Sequence, residues 1–173
     1  AICFIKHHLH HFITFYTILI PSNMDSNHIA VGVGIFVINK QDQVLVGRRT
    51  DSSGFCLPGG KLEHLESVET AAIRELEEET GLKSSPENIK VFKVANLITR
   101  TQDHSIGFYA AMQAPENQTP VNLEPHKSED WIWVTWEEML KLELFYPLQV
   151  GLRVISPLKY DDIPALSSIL IKE

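Results

Sequence analysis

Residues 59–82 read GGKLEHLESVETAAIRELEEETGL, and four of the five positions from 75 to 79 are glutamates. The pattern predicts a helix. Ser67 stands as its N-cap, the run continues to Thr80, and Gly81 followed by Leu82 supplies a left-handed stop with its apolar contact. Like charges three or four residues apart oppose a helix by about 0.2–0.5 kcal/mol per pair, so a chain that crowds them must recover that cost elsewhere. At about 100° per residue, Glu75, Glu78 and Glu79 share one arc with Val68, Ala71 and Ala72 in or beside it, whereas Glu77 points to the opposite side. Small apolar neighbours turn that arc toward protein. Buried carboxylates require partners or a metal ion. Arg74 reaches Glu78 at i,i+4 but does not neutralise three anions. A solvated acidic face is the alternative reading of the same residues.

The flanking sequence favours a site. Phe55, Cys56 and Leu57 form a short strand that stops at Pro58-Gly59-Gly60, where a missing N–H and two glycines force a tight loop. Glu63 and Glu66 follow in a short acidic segment, and the helix then adds its carboxylates. Such hard oxygen donors suit Mg²⁺ or Mn²⁺, and Mg²⁺ is commonly held by one or two carboxylates together with waters and substrate phosphates. Hydrolysis of a phosphate ester or anhydride is the implied chemistry.

Outward from this segment the chain alternates strands with few helices. Residues 29–38, IAVGVGIFVI, read as a central strand, and the polar turn NKQDQ leads into VLVGRR as a hairpin. VFKVANLIT and SIGFYAAMQA predict two more strands, and WIWVTW another. Between the last two lies the polar loop APENQTPVNLEPHKSED, and long loops in compact domains are often functional. Thr135 with Glu138 makes a capping-box signature for a helix through Leu144, and PALSSILIKE predicts a short final helix. Without regular βαβ repetition, the order argues α+β with a mixed sheet between helices.

The chain has 173 residues, 44% hydrophobic and 21% charged, with a formal net charge of −7. That length fits one domain with a real core. No basic run exceeds Arg48-Arg49, which excludes a nucleic acid polymer as the natural partner, because such binding rests on phosphate neutralisation by a basic surface. Cys3 and Cys56 match no zinc or redox spacing, and reduced thiols in a cytoplasmic protein are expected. Residues 1–23 are apolar and nearly uncharged, with an apolar run too short for a membrane span of about 20 residues. They are expected to be a non-native or disordered extension, with the domain running over 24–173 and no membrane association.

Gly60, five residues, Glu66, seven residues, then Arg74-Glu75-Leu76-Glu77-Glu78-Glu79-Thr80-Gly81-Leu82 resembles the Nudix box at every constrained position. The resemblance implies the Nudix α/β/α sandwich and hydrolysis of a diphosphate linked to another moiety, with Mg²⁺ or Mn²⁺ as cofactor. It implies Glu78 and Glu79 as principal metal ligands, Glu75 as ligand or general base, and a backbone carbonyl from Gly59 or Gly60. Arg74 would orient the carboxylates and Glu66 would brace the loop, with Gly60 and Gly81 as structural members of the box.

A looser match, NLEPHKSEDWIWVTWEEM with LFYPL, resembles the plant Nudix hydrolase 1 group. It implies Glu129 as a further metal ligand, with Glu124 the runner-up, and Arg48, Phe145 and Tyr146 as substrate-binding candidates. The group usually carries a glycine where this chain has Leu65, which puts the geometry of that loop in question. Three functions follow from the resemblance. The first is a pyrophosphatase acting on oxidised or modified nucleoside triphosphates such as 8-oxo-dGTP, or on NADH. The second acts on a prenyl diphosphate such as geranyl diphosphate. The third is a non-catalytic ligand sensor, against which the full set of box glutamates argues. A homodimer is compatible with each.

Overall fold

A computed structural model describes residues 28–51, 53–98, 104–153, 155 and 159–164. The expected N-terminal extension and almost all of the expected final helix lie outside these residues. In chain order the elements are β1 (Ala30–Ile38), β2 (Val44–Arg49), β3 (Phe55–Cys56), β4 (Gly59–Lys61), α1 (Val68–Thr80), β5 (Lys90–Ile98), β6 (His104–Gln113), β7 (Ser128–Val134), α2 (Trp136–Met139) and α3 (Tyr146–Gly151). Short 3-10 turns occupy Pro86–Asn88 and Tyr160–Asp162.

β1 is the axis of a mixed sheet. It runs parallel to β6 along its whole length, from Ala30 opposite Ser105 to Ile38 opposite Gln113. Its other edge is divided: antiparallel β4 pairs with the first half, and β2 meets it only where Ile38 faces Val44. The hairpin is therefore joined at its closed end, where the Asn39 side-chain oxygen accepts hydrogen bonds from the Gln41 and Gln43 N–H groups. Beyond Val44 the strand diverges from β1 to pair with β7 and β3. The segment expected to be only a tight loop, Gly59–Lys61, fills the space so opened and pairs as a strand.

Alternation along β1 explains the layers. Val33, Ile35 and Val37 face a core completed by Ala71, Ala72 and Leu76 of α1. Phe36 and Ile38 face a second core with Met139 of α2 and Leu148 of α3. A strand covered on both faces reads as a continuous apolar run, as this one does. The result is the α+β sandwich with a mixed sheet between helices.

α1 matches its sequence signals. The Ser67 hydroxyl accepts from the Thr70 N–H, and Gly81 adopts φ 68° while its N–H returns to the Glu77 carbonyl. α2 does not. The Thr135–Glu138 capping box is present, but the helix ends at Met139, short of the expected Leu144. Backbone pairing with β3 takes the chain away: the Phe55 N–H donates to the Glu143 carbonyl and the Phe145 N–H to the Phe55 carbonyl, at 2.7 and 2.8 Å.

Candidate active site

The loop from Gly59 to Glu66 and the last turns of α1 are bound together by one guanidinium. Arg74 Nε and Nη2 grip the two oxygens of Glu66, each at 3.0 Å, and Nη2 also donates to the Lys61 carbonyl. Its Nη1 donates to Glu75 at 2.8 Å and to Glu78 at 3.2 Å. A bidentate guanidinium–carboxylate pair fixes orientation as well as charge. Hydrogen bonding to Glu66 and then Glu75 holds the Arg74 pKa above its usual value, and Arg74 holds Glu66 below the ordinary carboxylate range. Glu66 also accepts from the Glu63 N–H, which closes the loop on itself.

Gly60 faces the Glu75 carboxylate so closely that a Cβ there would collide with it. Bare backbone is what lets β4 lie against the helix. Glu79 turns to the same strand, where its Oε2 accepts from the Gly59 N–H at 2.9 Å. The observed contribution of Gly59 to the site is thus an N–H donor. Burial, with Glu75 and Glu124 nearby, pushes the Glu79 carboxyl up to about 7, although the Gly59 N–H opposes this.

A helix leaves its last carbonyls without intrahelical partners. In α1 the polar loop before β7 satisfies them. The Val121 N–H donates to the Thr80 carbonyl and the Leu123 N–H to that of Glu79, while the Trp131 indole N–H also reaches the Glu79 carbonyl at 3.1 Å. This capping carries Glu124 to the carboxylate cluster. Its Oε2 is buried without an aligned hydrogen bond. Lys127 Nζ lies 2.7 Å from that oxygen as an ion pair.

The expected convergence of Glu75, Glu78 and Glu79 needs correction. Glu75 is buried and Glu79 half-buried, but the Glu78 side chain is 54% exposed and is drawn to Arg74. Among the described residues, no group of three His, Cys, Asp or Glu side chains is gathered to hold a metal ion as it stands. The donor chemistry nevertheless fits one: Glu75, Glu79 and Glu124 carry hard oxygen donors, and the buried Glu124 oxygen has a flexible ammonium beside it.

The remaining candidates divide. Glu129 is exposed on β7, and the extra-box carboxylate coupled to Glu79 is Glu124. The pairing of β7 with β2 is irregular at this point, with an extra residue between Ser128 and Trp131, and both Glu129 and Asp130 are left exposed. Arg48 is exposed, whereas Arg49 lines a cleft of about 420 Å³ beside Gly59, Gly60 and Glu79. Asp51 and Ser53 hold Arg49, and its guanidinium lies 4.5 Å over the Phe145 ring. Phe145 is in the cleft wall. Tyr146 is not; its hydroxyl donates to the Ile98 carbonyl at the end of β5. Arg49 and Lys127 were missed from sequence. A dipeptide Arg-Arg does not say which face carries the cleft, and Lys127 gave a signal only through its place in the EPHKSE segment.

The NUDIX domain model matches residues 28–152. An RNA pyrophosphohydrolase of Shewanella frigidimarina is 28% identical over 130 residues, covering 65% of this chain and 74% of that protein. A putative 8-oxo-dGTP diphosphatase of Bacillus subtilis is 41% identical over 54 residues, 31% of this chain and 36% of its own length. Among solved structures, a MutT NUDIX hydrolase from Burkholderia pseudomallei superposes with a TM-score of 0.63 at 25% identity, covering 75% of this chain and 99% of that one. With the domain model spanning most of the chain over the same loop and helix that carry the carboxylates, the protein belongs to the Nudix family and is a Nudix hydrolase.

Proposed function

We propose that this chain hydrolyses a phosphoanhydride bond in a diphosphate linked to a nucleoside, with Mg²⁺ or Mn²⁺ held by Glu79, Glu124 and Glu75. The observation that carries this reading is the buried Glu124 oxygen, paired with no more than a side-chain ammonium, close to Glu79 of the cleft wall. When bound, the metal ion supplies charge neutralisation at the phosphoryl oxygens and acidifies water. Arg74 orients the Glu75 carboxylate and holds Glu78 on the exposed flank through the same amino group. A water oxygen attacks phosphorus, the bridging P–O bond breaks, and Glu75 takes the water proton. Arg49, fixed by Asp51, adds a cation to the cleft wall. Nucleoside triphosphates such as 8-oxo-dGTP head the candidate substrates, with NADH beside them. The similarity to an RNA pyrophosphohydrolase and an 8-oxo-dGTP diphosphatase supports a nucleotide.

One observation favours a second reading with the same chemistry. Leu57, Leu97, Ile106, Phe108, Phe145 and Leu148 line the cleft, and this apolar wall suits a prenyl chain as well as the face of a base. A panel of 8-oxo-dGTP, dGTP, NADH and geranyl diphosphate, assayed with and without Mg²⁺, separates them. A nucleotide with the highest kcat/KM is the expected result; a dominant rate on geranyl diphosphate rejects the first reading for the second. Glu79→Gln is expected to lower metal-dependent turnover by about a hundredfold or more, with unchanged circular dichroism. Normal turnover in that variant would remove the box helix from the mechanism.

A further inference from the structure

The segment EPHKSE entered the site through Glu124, which leaves its lysine unexplained. Lys127 belongs to the turn that follows Glu124: its N–H donates to the Glu124 carbonyl at 2.8 Å, and the Ser128 N–H reaches the same carbonyl. That turn directs Lys127 Nζ to within 2.7 Å of Glu124 Oε2, the oxygen that is buried without an aligned hydrogen bond. Glu79 and Glu75, the other two carboxylates of the cluster, also attract the ammonium. The lysine side chain is 55% exposed, so it is free to move, whereas Glu124 at 22% is not.

We propose that Lys127 is the resident counter-ion of the carboxylate cluster: a divalent cation displaces it from Glu124, and the freed ammonium then positions the substrate diphosphate. The inference rests on the metal-dependent diphosphate reading above. Two cations compete for one buried oxygen, and a divalent ion with several oxygen ligands outbids a half-exposed lysine whose ion pair is weak. Once displaced, the ammonium stays tethered by the same turn near Glu79 of the cleft wall, where a diphosphate brings new negative charge. A compact point charge on a flexible stem is suited to that transfer.

The test begins without substrate. Mn²⁺ binding, followed by electron paramagnetic resonance, is expected to tighten about threefold to fivefold in Lys127→Met, because a competing cation is gone. Lys127→Arg should bind Mn²⁺ close to the wild type. In Glu124→Gln, binding should weaken, and adding Lys127→Met should change it little. Steady-state assays on the best substrate of the panel then read the second half. Lys127→Met should raise KM about tenfold with kcat changed much less, and Lys127→Arg should restore most of the loss. Unaltered or weaker Mn²⁺ binding in Lys127→Met overturns the competition, and an unaltered KM overturns the transfer to substrate. Mn²⁺ binding that ignores both Glu79→Gln and Glu124→Gln overturns the metal-site reading itself, an outcome separate from either.

Discussion

Glu79, proposed above as a metal ligand, also bears on stability. Its carboxyl is pushed up to about 7 in the metal-free protein by burial, with Glu75 and Glu124 adding to the effect. The sign follows from linkage: an acid whose folded pKa is raised above its unfolded value binds more protons when folded, so its contribution is complete below about 4.5 and lost as pH rises through about 7. Metal-free protein is therefore expected to lose on the order of 3 kcal/mol from this group between pH 4.5 and 7.5. Glu79→Gln should flatten that part of a pH series of urea denaturations. A slope unchanged by the substitution would assign the dependence to other groups.

Leu65 is the other informative residue. It adopts φ 65° and is 90% exposed, a left-handed backbone carrying a side chain that packs against almost nothing. An L side chain there costs about 1–2 kcal/mol, partly offset against glycine by the greater entropy that glycine loses on folding. Leu65→Gly is expected to raise stability by about 0.5 kcal/mol. A lower thermal midpoint would mean that Leu65 makes an apolar contact worth more than the strain. The departure from the usual glycine was visible in the sequence; the left-handed backbone that Leu65 adopts was not.

At the scale of elements, α1 and the loop before β7 form one unit. Helix boundaries were readable because caps are local: Ser67 and Gly81 act on backbone groups within four residues. The function of the loop was not, because its Val121 and Leu123 N–H groups meet carbonyls some forty residues earlier in the chain. Trp131 secures that unit. It is buried, its indole N–H bonds to the Glu79 carbonyl, and its ring lies over Gly47 so closely that a Cβ there would clash. Trp131→Phe is expected to cost about 1–2 kcal/mol through the lost hydrogen bond and ring volume. It should also lower kcat/KM, because Glu79 and Glu124 lose a shared support. Full activity with reduced stability would confine Trp131 to packing.

For the whole molecule, the sheet is held because both of its faces are covered. Phe36 is fully buried and packs against Phe92 on β5, Tyr109 on β6 and Trp136 on α2, with ring centroids 5.9, 6.5 and 6.1 Å away. One side chain thereby joins three strands to the second helical layer. Phe36→Ala is expected to cost about 3–5 kcal/mol in chemical denaturation, with activity falling only as the folded fraction falls. A cost below about 1 kcal/mol would show that the second core collapses around the vacancy.

Among the described residues no helix is long and apolar enough to cross a membrane. What sequence alone determined is the local part of this protein: the helix with its caps, the strand periodicities, and the spacing of Gly60, Glu66, Arg74 and the glutamates, since each depends on backbone geometry within a few turns. Tertiary structure decided which of those carboxylates face protein. It placed Glu78 on the exposed flank, brought Glu124 beside Glu79 while leaving Glu129 exposed, put Arg49 rather than Arg48 in the cleft, and set Lys127 against the buried oxygen. Those choices depend on how β2 diverges from β1 and how a distant loop caps α1. Contacts between groups far apart in sequence leave no periodic mark along the chain.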